Sequence, residues 1–239
     1  MDIMEVIKRE NYEIYKEKNS IYKIVFRYSA YSLVNSLVKS RLIIGSSTNE
    51  KYNIITFKAK SVKTFKQYLN EYEAKNLKKS LSIVDAVKML TSLTKQLRYL
   101  LENTFSTIIG YNPEDIIVIN DEKFAFLGSE LVSDIDIDKT QTMISCPYLV
   151  NDFFFSPEMM KIKDIPAYIH SKTAYFSLAC LIIYGILGGD EFYVEYLKCK
   201  KIDKIIEYLD KHPIKQTKIY WLLSRCLVEE PKERCILLI

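Results

Sequence analysis

Three carboxylates alternate along Asp134-Ile135-Asp136-Ile137-Asp138. On an extended segment they share one face, an arrangement able to hold a divalent cation. No second cluster supplies the further oxygen ligands that calcium needs, so a solvated charged loop is the simpler reading. His170 and His212 are the two histidines. Neither has a partner at nucleophile spacing, which argues against Ser–His or Cys–His catalysis, and His170 reads as a cap for a helix starting near Ser171. Cys146, Cys180, Cys199, Cys226 and Cys235 form no Cys-x-x-Cys pair. Free thiols in a reducing compartment fit them better than a zinc site or a disulfide framework. Lys58, Lys60, Lys63, Lys66, Lys75, Lys78 and Lys79 make a basic segment that could attract an acidic partner or nucleic acid, or simply be a solvated helix face. Phe153-Phe154-Phe155 cannot all face inward from an ordinary loop, so these rings are candidates for partner contact or for packing on the interior.

The 239 residues carry a net charge of +4, with 49% hydrophobic and 27% charged residues. Wholesale disorder and a collagen-like chain are excluded. The charge excess is too small to identify a dedicated nucleic-acid binder. The N-terminus has no apolar core of the signal-peptide kind. The longest apolar stretch, Ala174 to Gly189, is shorter than the roughly 20 residues a membrane span needs. A cytoplasmic protein with no membrane partner is the expectation.

The elements that must position any site change character along the chain. Asn11–Lys16 and Ile21–Tyr28 are rich in Tyr, Ile, Val and Phe and read as strands joined by a turn at Asn19-Ser20. Tyr31–Ser40 has helical spacing; Leu42–Ile44 and Tyr52–Phe57 read as strands around a polar turn at Gly45–Glu50. Val62, Phe65, Leu69 and Tyr72 recur at helical intervals. Ser82 with Asp85 is a capping-box pattern that opens a long helix, with Ile83, Val87, Leu90, Leu93, Leu97, Leu100, Leu101 and Phe105 on its apolar face. Residues 115–128 read as two short strands around Asn120-Asp121-Glu122, and 131–157 as a long loop. Helices are expected near 174–187, 191–198, 202–210 and 216–228.

Within this order, Tyr111-Asn112-Pro113-Glu114-Asp115-Ile116-Ile117-Val118 after a long helix resembles the catalytic region of the eukaryotic-type protein kinases, whose pattern is H-R-D-L-K-P-E-N-I-L-V followed by a hairpin and D-F-G. Ser156-Pro157-Glu158 resembles the A-P-E that closes the activation segment. Ser177–Tyr184 resembles the central helix of the large lobe, and Glu229-Glu230-Pro231-Lys232-Glu233-Arg234 the late D-P-x-x-R element. The resemblance runs from about residue 52 to the end; residues 11–57 fit the small lobe by element order. It implies an α+β, two-lobe fold: a reduced β-rich N-lobe, 1–58, without the first strand and its glycine loop, and a helical C-lobe, 59–239. It also implies a structural ion pair between Glu158 and Arg234.

The same resemblance implies that the catalytic groups are gone. Phosphoryl transfer in this family needs a Lys–Glu pair, a catalytic Asp, and an Asn and Asp that hold Mg²⁺. The first glycine is Gly45, so no glycine-rich loop lies in the first strands. Arg27, with Lys23 nearby, falls near the Lys position, and Ala30–Ser40 holds no acid to pair with it. Gly110 stands at the catalytic Asp, Asn112 at the loop Lys, Asp115 at the Asn, and Gly128 at the metal Asp, with Glu130 two residues on. The expectation is a pseudokinase with no cofactor, acting as a protein-interaction module: a scaffold, or a decoy or regulator of a true kinase, with that kinase, its substrate or its regulator as partner. Small degenerate proteins of this kind are familiar from large DNA viruses, and the composition suits an AT-rich viral genome; a virion structural or assembly subunit is another form of the same reading. The alternatives are a divergent ATP-binding enzyme holding Mg²⁺ through Asp115, Glu130 or the 134–138 acids, and a nucleic-acid binder working through the basic segment.

Overall fold

A computed structural model describes residues 4–76, 80–136, 140–146, 154–187 and 202–236. The architecture is mixed α+β, with small antiparallel sheets packed on helices. The first sheet contains β1 (Met4–Lys8), β2 (Tyr12–Lys16), β3 (Ile21–Phe26), β4 (Ser47–Thr48) and β5 (Ile54–Lys58), in the order β1-β2-β3-β5-β4. Alternation sets its inner face: Tyr12, Ile14, Tyr22, Ile24, Phe26, Ile55 and Phe57 are buried, and the residues between them are more exposed. Helix α1 (Tyr31–Lys39) lies in sequence between β3 and β4 and buries Leu33, Val34 and Leu37.

Two expectations change here. A first strand is present, since β1 pairs with β2. Its mostly exposed side chains gave it no readable alternation. Leu42 and Ile43 are buried without being a strand; both backbone N–H groups donate to Leu37 O and close the end of α1. The strand falls instead on Ser47–Thr48.

Next come β6 (Val62–Thr64), α2 (Phe65–Asn76) and α3 (Ile83–Tyr99). Val62 thus belongs to a strand that precedes the helix. Ser82 caps α3: its hydroxyl accepts from the Asp85 N–H at 3.1 Å and donates to the Asp85 carboxylate at 2.7 Å. The buried stripe of α3 is Ala86, Met89, Leu90, Leu93 and Leu97, while Ile83 and Val87 face outward. A π-turn over Leu100–Thr104 ends the helix.

The strands β7 (Ser106–Ile108), β8 (Gly110–Tyr111), β9 (Ile116–Ile119) and β10 (Lys123–Phe126) follow. Between β9 and β10, Asn120 and Asp121 adopt positive φ, which these residue types tolerate in turns. The expected 131–157 loop contains three short strands: β11 (Val132–Asp134), β12 (Gln141–Ile144) and β13 (Phe154–Phe155), paired with β7, β14 (Ala167–His170) and β8 respectively. Helix α4 (Pro157–Met160) precedes β14, and α5 (Thr173–Ile186), α6 (Ile202–Lys211) and α7 (Lys218–Cys226) complete the described elements. The helix expected at 191–198 lies outside the described residues. Helix α5 is buried along nearly its whole length and packs on α3, β8 and β13. Among the described residues no helix is long and apolar enough to cross a membrane.

Candidate functional site

The turn between β8 and β9 carries the residues singled out for chemistry. The Asn112 side chain accepts from the Glu114 N–H at 2.9 Å, which starts a tight turn over Pro113–Asp115. This turn holds Asp115, 7% exposed, at the head of β9. From the other side, the segment after β10 brings Gly128 beside the Asp115 carboxylate and Glu130 into its vicinity. Desolvation, reinforced by the charge of Glu130, pushes the Asp115 carboxyl up to about 7. Glu130 is raised by burial as well. One of its carboxylate oxygens is buried without a hydrogen-bond partner.

The turn between β1 and β2 closes over these acids. Arg9 forms an ion pair with Glu114. The Asn11 side chain reaches Glu130, and the Tyr12 hydroxyl approaches Glu114 O at 3.4 Å. Tyr12 is buried, and its ring lies 6.3 Å from that of Phe26. Burial and the Asp115 charge push the Tyr12 phenol far up. Phe26, not Arg27, is thus the side chain that β3 sends inward at its end; Arg27 is exposed and lies over the Tyr28 ring. Lys23 is on the more exposed face of β3.

Both glycines of the site sit in closed packing. A Cβ on Gly110 would stand 2.5 Å from the Phe155 ring. A Cβ on Gly128 would stand 2.6 Å from the Phe126 ring and 3.0 Å from the Asp115 carboxylate. Phe155 is opposite Gly110 and Phe154 opposite Tyr111 in the β13–β8 pair. Phe154 and Phe155 are buried, so the partner-contact role considered for them gives way to core packing. The β13–β8 pairing sets both rings in the interior. Phe153 lies outside the described residues.

Glu158 and Arg234 meet across 76 residues of chain in a bidentate ion pair with N···O distances of 2.5 and 2.9 Å. Arg234 is fully buried, donates also to Val228 O and Glu229 O, and lies over the Phe176 ring. This pair joins α4 to the end of the turn over Pro231–Glu233, apart from the Asp115 turn in sequence.

The remaining candidates do not converge. Asp134 accepts from the Ser106 hydroxyl, Asp136 accepts from the Thr140 and Gln141 N–H groups, and Asp138 lies outside the described residues. His170 Nδ1 accepts from the Lys172 N–H just ahead of α5. Lys63 lies on strand β6, not on a helix face, and bridges Glu71 and Asp121; Lys78 and Lys79 lie outside the described residues. Among the described residues no group of three or more His, Cys, Asp or Glu is arranged to hold a metal ion.

Two long-range contacts, those of Arg9 and of Gln96, escaped the sequence. Arg9 belongs to no motif and takes its meaning from the hairpin that carries it 105 residues across to Glu114. Gln96 is buried on α3 together with Ser92 and Thr94, so polarity within the helical pattern did not set it apart. No family model matches the chain, and no curated protein matches it significantly.

Proposed function

We propose that the chain is a degenerate protein kinase-like domain, a pseudokinase, that works as a non-catalytic protein-interaction module: a scaffold, or a decoy or regulator of a true kinase. The observation that carries this reading is the packing at Gly110 and Gly128. On the resemblance, these glycines stand at the catalytic and the metal-binding Asp. Around each, an aromatic ring fills the volume a carboxylate would need. Catalysis of phosphoryl transfer is mostly positioned charge, and both charges have neither a side chain nor room for one. The five-stranded sheet with α1 between its third and fourth strands and the Glu158–Arg234 pair support the two-lobe kinase-like reading.

Thermal unfolding with and without millimolar ATP and Mg²⁺ tests it. A ligand at 100 times its dissociation constant stabilises by about 2.7 kcal/mol, a shift of a few degrees for a chain of this size. No shift is expected. A magnesium-dependent rise in Tm overturns the non-catalytic reading and favours a divergent nucleotide-binding enzyme.

A further inference from the structure

We propose that the exposed face of α7 binds single-stranded nucleic acid, with a base stacked on Trp221 and its flanking phosphates held by Lys218 and Arg225. Helix α7 turns Ile219, Tyr220, Leu223 and Cys226 into the core. Trp221, the chain's one tryptophan, is left 55% exposed on the other side. Lys218 and Arg225 are exposed and stand three residues before it and four after, so helical geometry puts both on its face. A cation therefore brackets the indole at each end.

Among the described residues neither cation has an ion-pair or side-chain hydrogen-bond partner. Helix α7 carries no acid. Asp210, which touches the helix, is taken up by the Tyr220 hydroxyl at 2.7 Å and faces Lys215 at 3.7 Å. Lys218 also stands in the first turn, where a positive charge works against the helix dipole, so it is no stabilising device. A T-shaped contact with Tyr220, ring centroids 5.1 Å apart, braces the indole. The core of a protein–protein interface is apolar and depleted in lysine, whereas Trp221 has Lys218, Ser224 and Arg225 around it. A polynucleotide suits that arrangement, since every base has a π-face and a phosphate on either side. This inference does not rest on the pseudokinase reading.

The test uses the full chain and an oligothymidylate of about twelve nucleotides. Because Trp221 is the one indole, its fluorescence reports the site itself. Quenching on titration is expected, with affinity falling about sevenfold between about 50 and 200 mM salt, the slope for two phosphates of a single strand. Anisotropy of a labelled oligonucleotide reads the variants. Trp221→Ala is expected to weaken binding about tenfold or more, and Trp221→Phe, which keeps a ring, by less. Lys218→Gln combined with Arg225→Gln is expected to flatten the salt dependence. A melt shows that each variant folds; if Trp221→Ala does not, the double glutamine variant decides alone. No quenching by the oligonucleotide overturns the proposal. Binding that the variants leave unchanged overturns it too, and places the nucleic acid elsewhere, as on the basic segment from Lys58. Polyglutamate of equal charge binding as tightly overturns the stacking role and favours an acidic protein surface as the partner.

Discussion

The Phe155 ring occupies the space into which any side chain at position 110 would project, 2.5 Å from where its first carbon would stand. The two residues face each other in the β13–β8 pair, so the contact is built into the strand register. On the kinase-like reading proposed above, the missing carboxylate and the filling of its site are one and the same feature. Gly110→Asp is expected to destabilise the protein and restore no phosphoryl transfer. Overpacking a closed core costs about 1–3 kcal/mol, and a carboxylate buried without a partner costs more. A thermal melt of Gly110→Ala and Gly110→Asp checks this; an Asp variant as stable as the parent would show that Phe155 yields easily.

The Glu158–Arg234 pair leads to a second expectation. Arg234 is fully buried and Glu158 retains some exposure, so the two are unequal partners. Glu158→Gln leaves a buried guanidinium without its anion and is expected to cost about 3–5 kcal/mol. Denaturant unfolding measures it, and a cost under about 1 kcal/mol would mean that Val228 O, Glu229 O and Phe176 hold the cation unaided.

How much of this was legible follows from the range of each signal. The Ser82–Asp85 cap, the turn at Asn120-Asp121 and the apolar helix α5 are set by neighbours within a few residues, and their sequence patterns state them directly. The Glu158–Arg234 pair was legible by another route, because a resemblance supplies distant partners that periodicity cannot. Arg9 over Glu114 and Phe155 against Gly110 depend on register between segments far apart in the chain. Phe154 and Phe155 were ambiguous for that reason: their burial depends on a two-residue strand that pairs with Tyr111 and Gly110, far back in the chain. Strand β1 was missed because an exposed edge strand needs no alternation.

Gln96 gives a third prediction. It is fully buried on α3, where its amide accepts from the Phe126 N–H and donates to Phe126 O, both at 2.9 Å, and also reaches Ser36 Oγ on α1. One side chain therefore satisfies the inner edge of β10 and ties it to two helices. Gln96→Leu fills similar volume but leaves the Phe126 N–H and C=O unpaired, at about 1–3 kcal/mol each. Equilibrium unfolding of Gln96→Leu against Gln96→Glu checks it. Both are expected to be destabilised, and a neutral Leu variant would show that water replaces the amide.

The last prediction concerns pH. Asp115 has a folded-state value of about 7, raised above the roughly 4 of a free carboxyl. Between those values the folded chain holds a proton that the unfolded chain has released, so stability falls as pH rises through that window and levels off above it. The neighbouring Glu130, also raised, acts in the same direction. Carboxylates lowered by their partners, Asp85 among them, act in the opposite direction at the acid end, so the comparison must be a difference. The Tm of the parent minus that of Asp115→Asn is expected to decline from about pH 4 to about pH 7 and then stay flat. A difference that does not change with pH would mean that Asp115 is ionised in the folded chain throughout, with Arg9 holding its charge more tightly than burial opposes it.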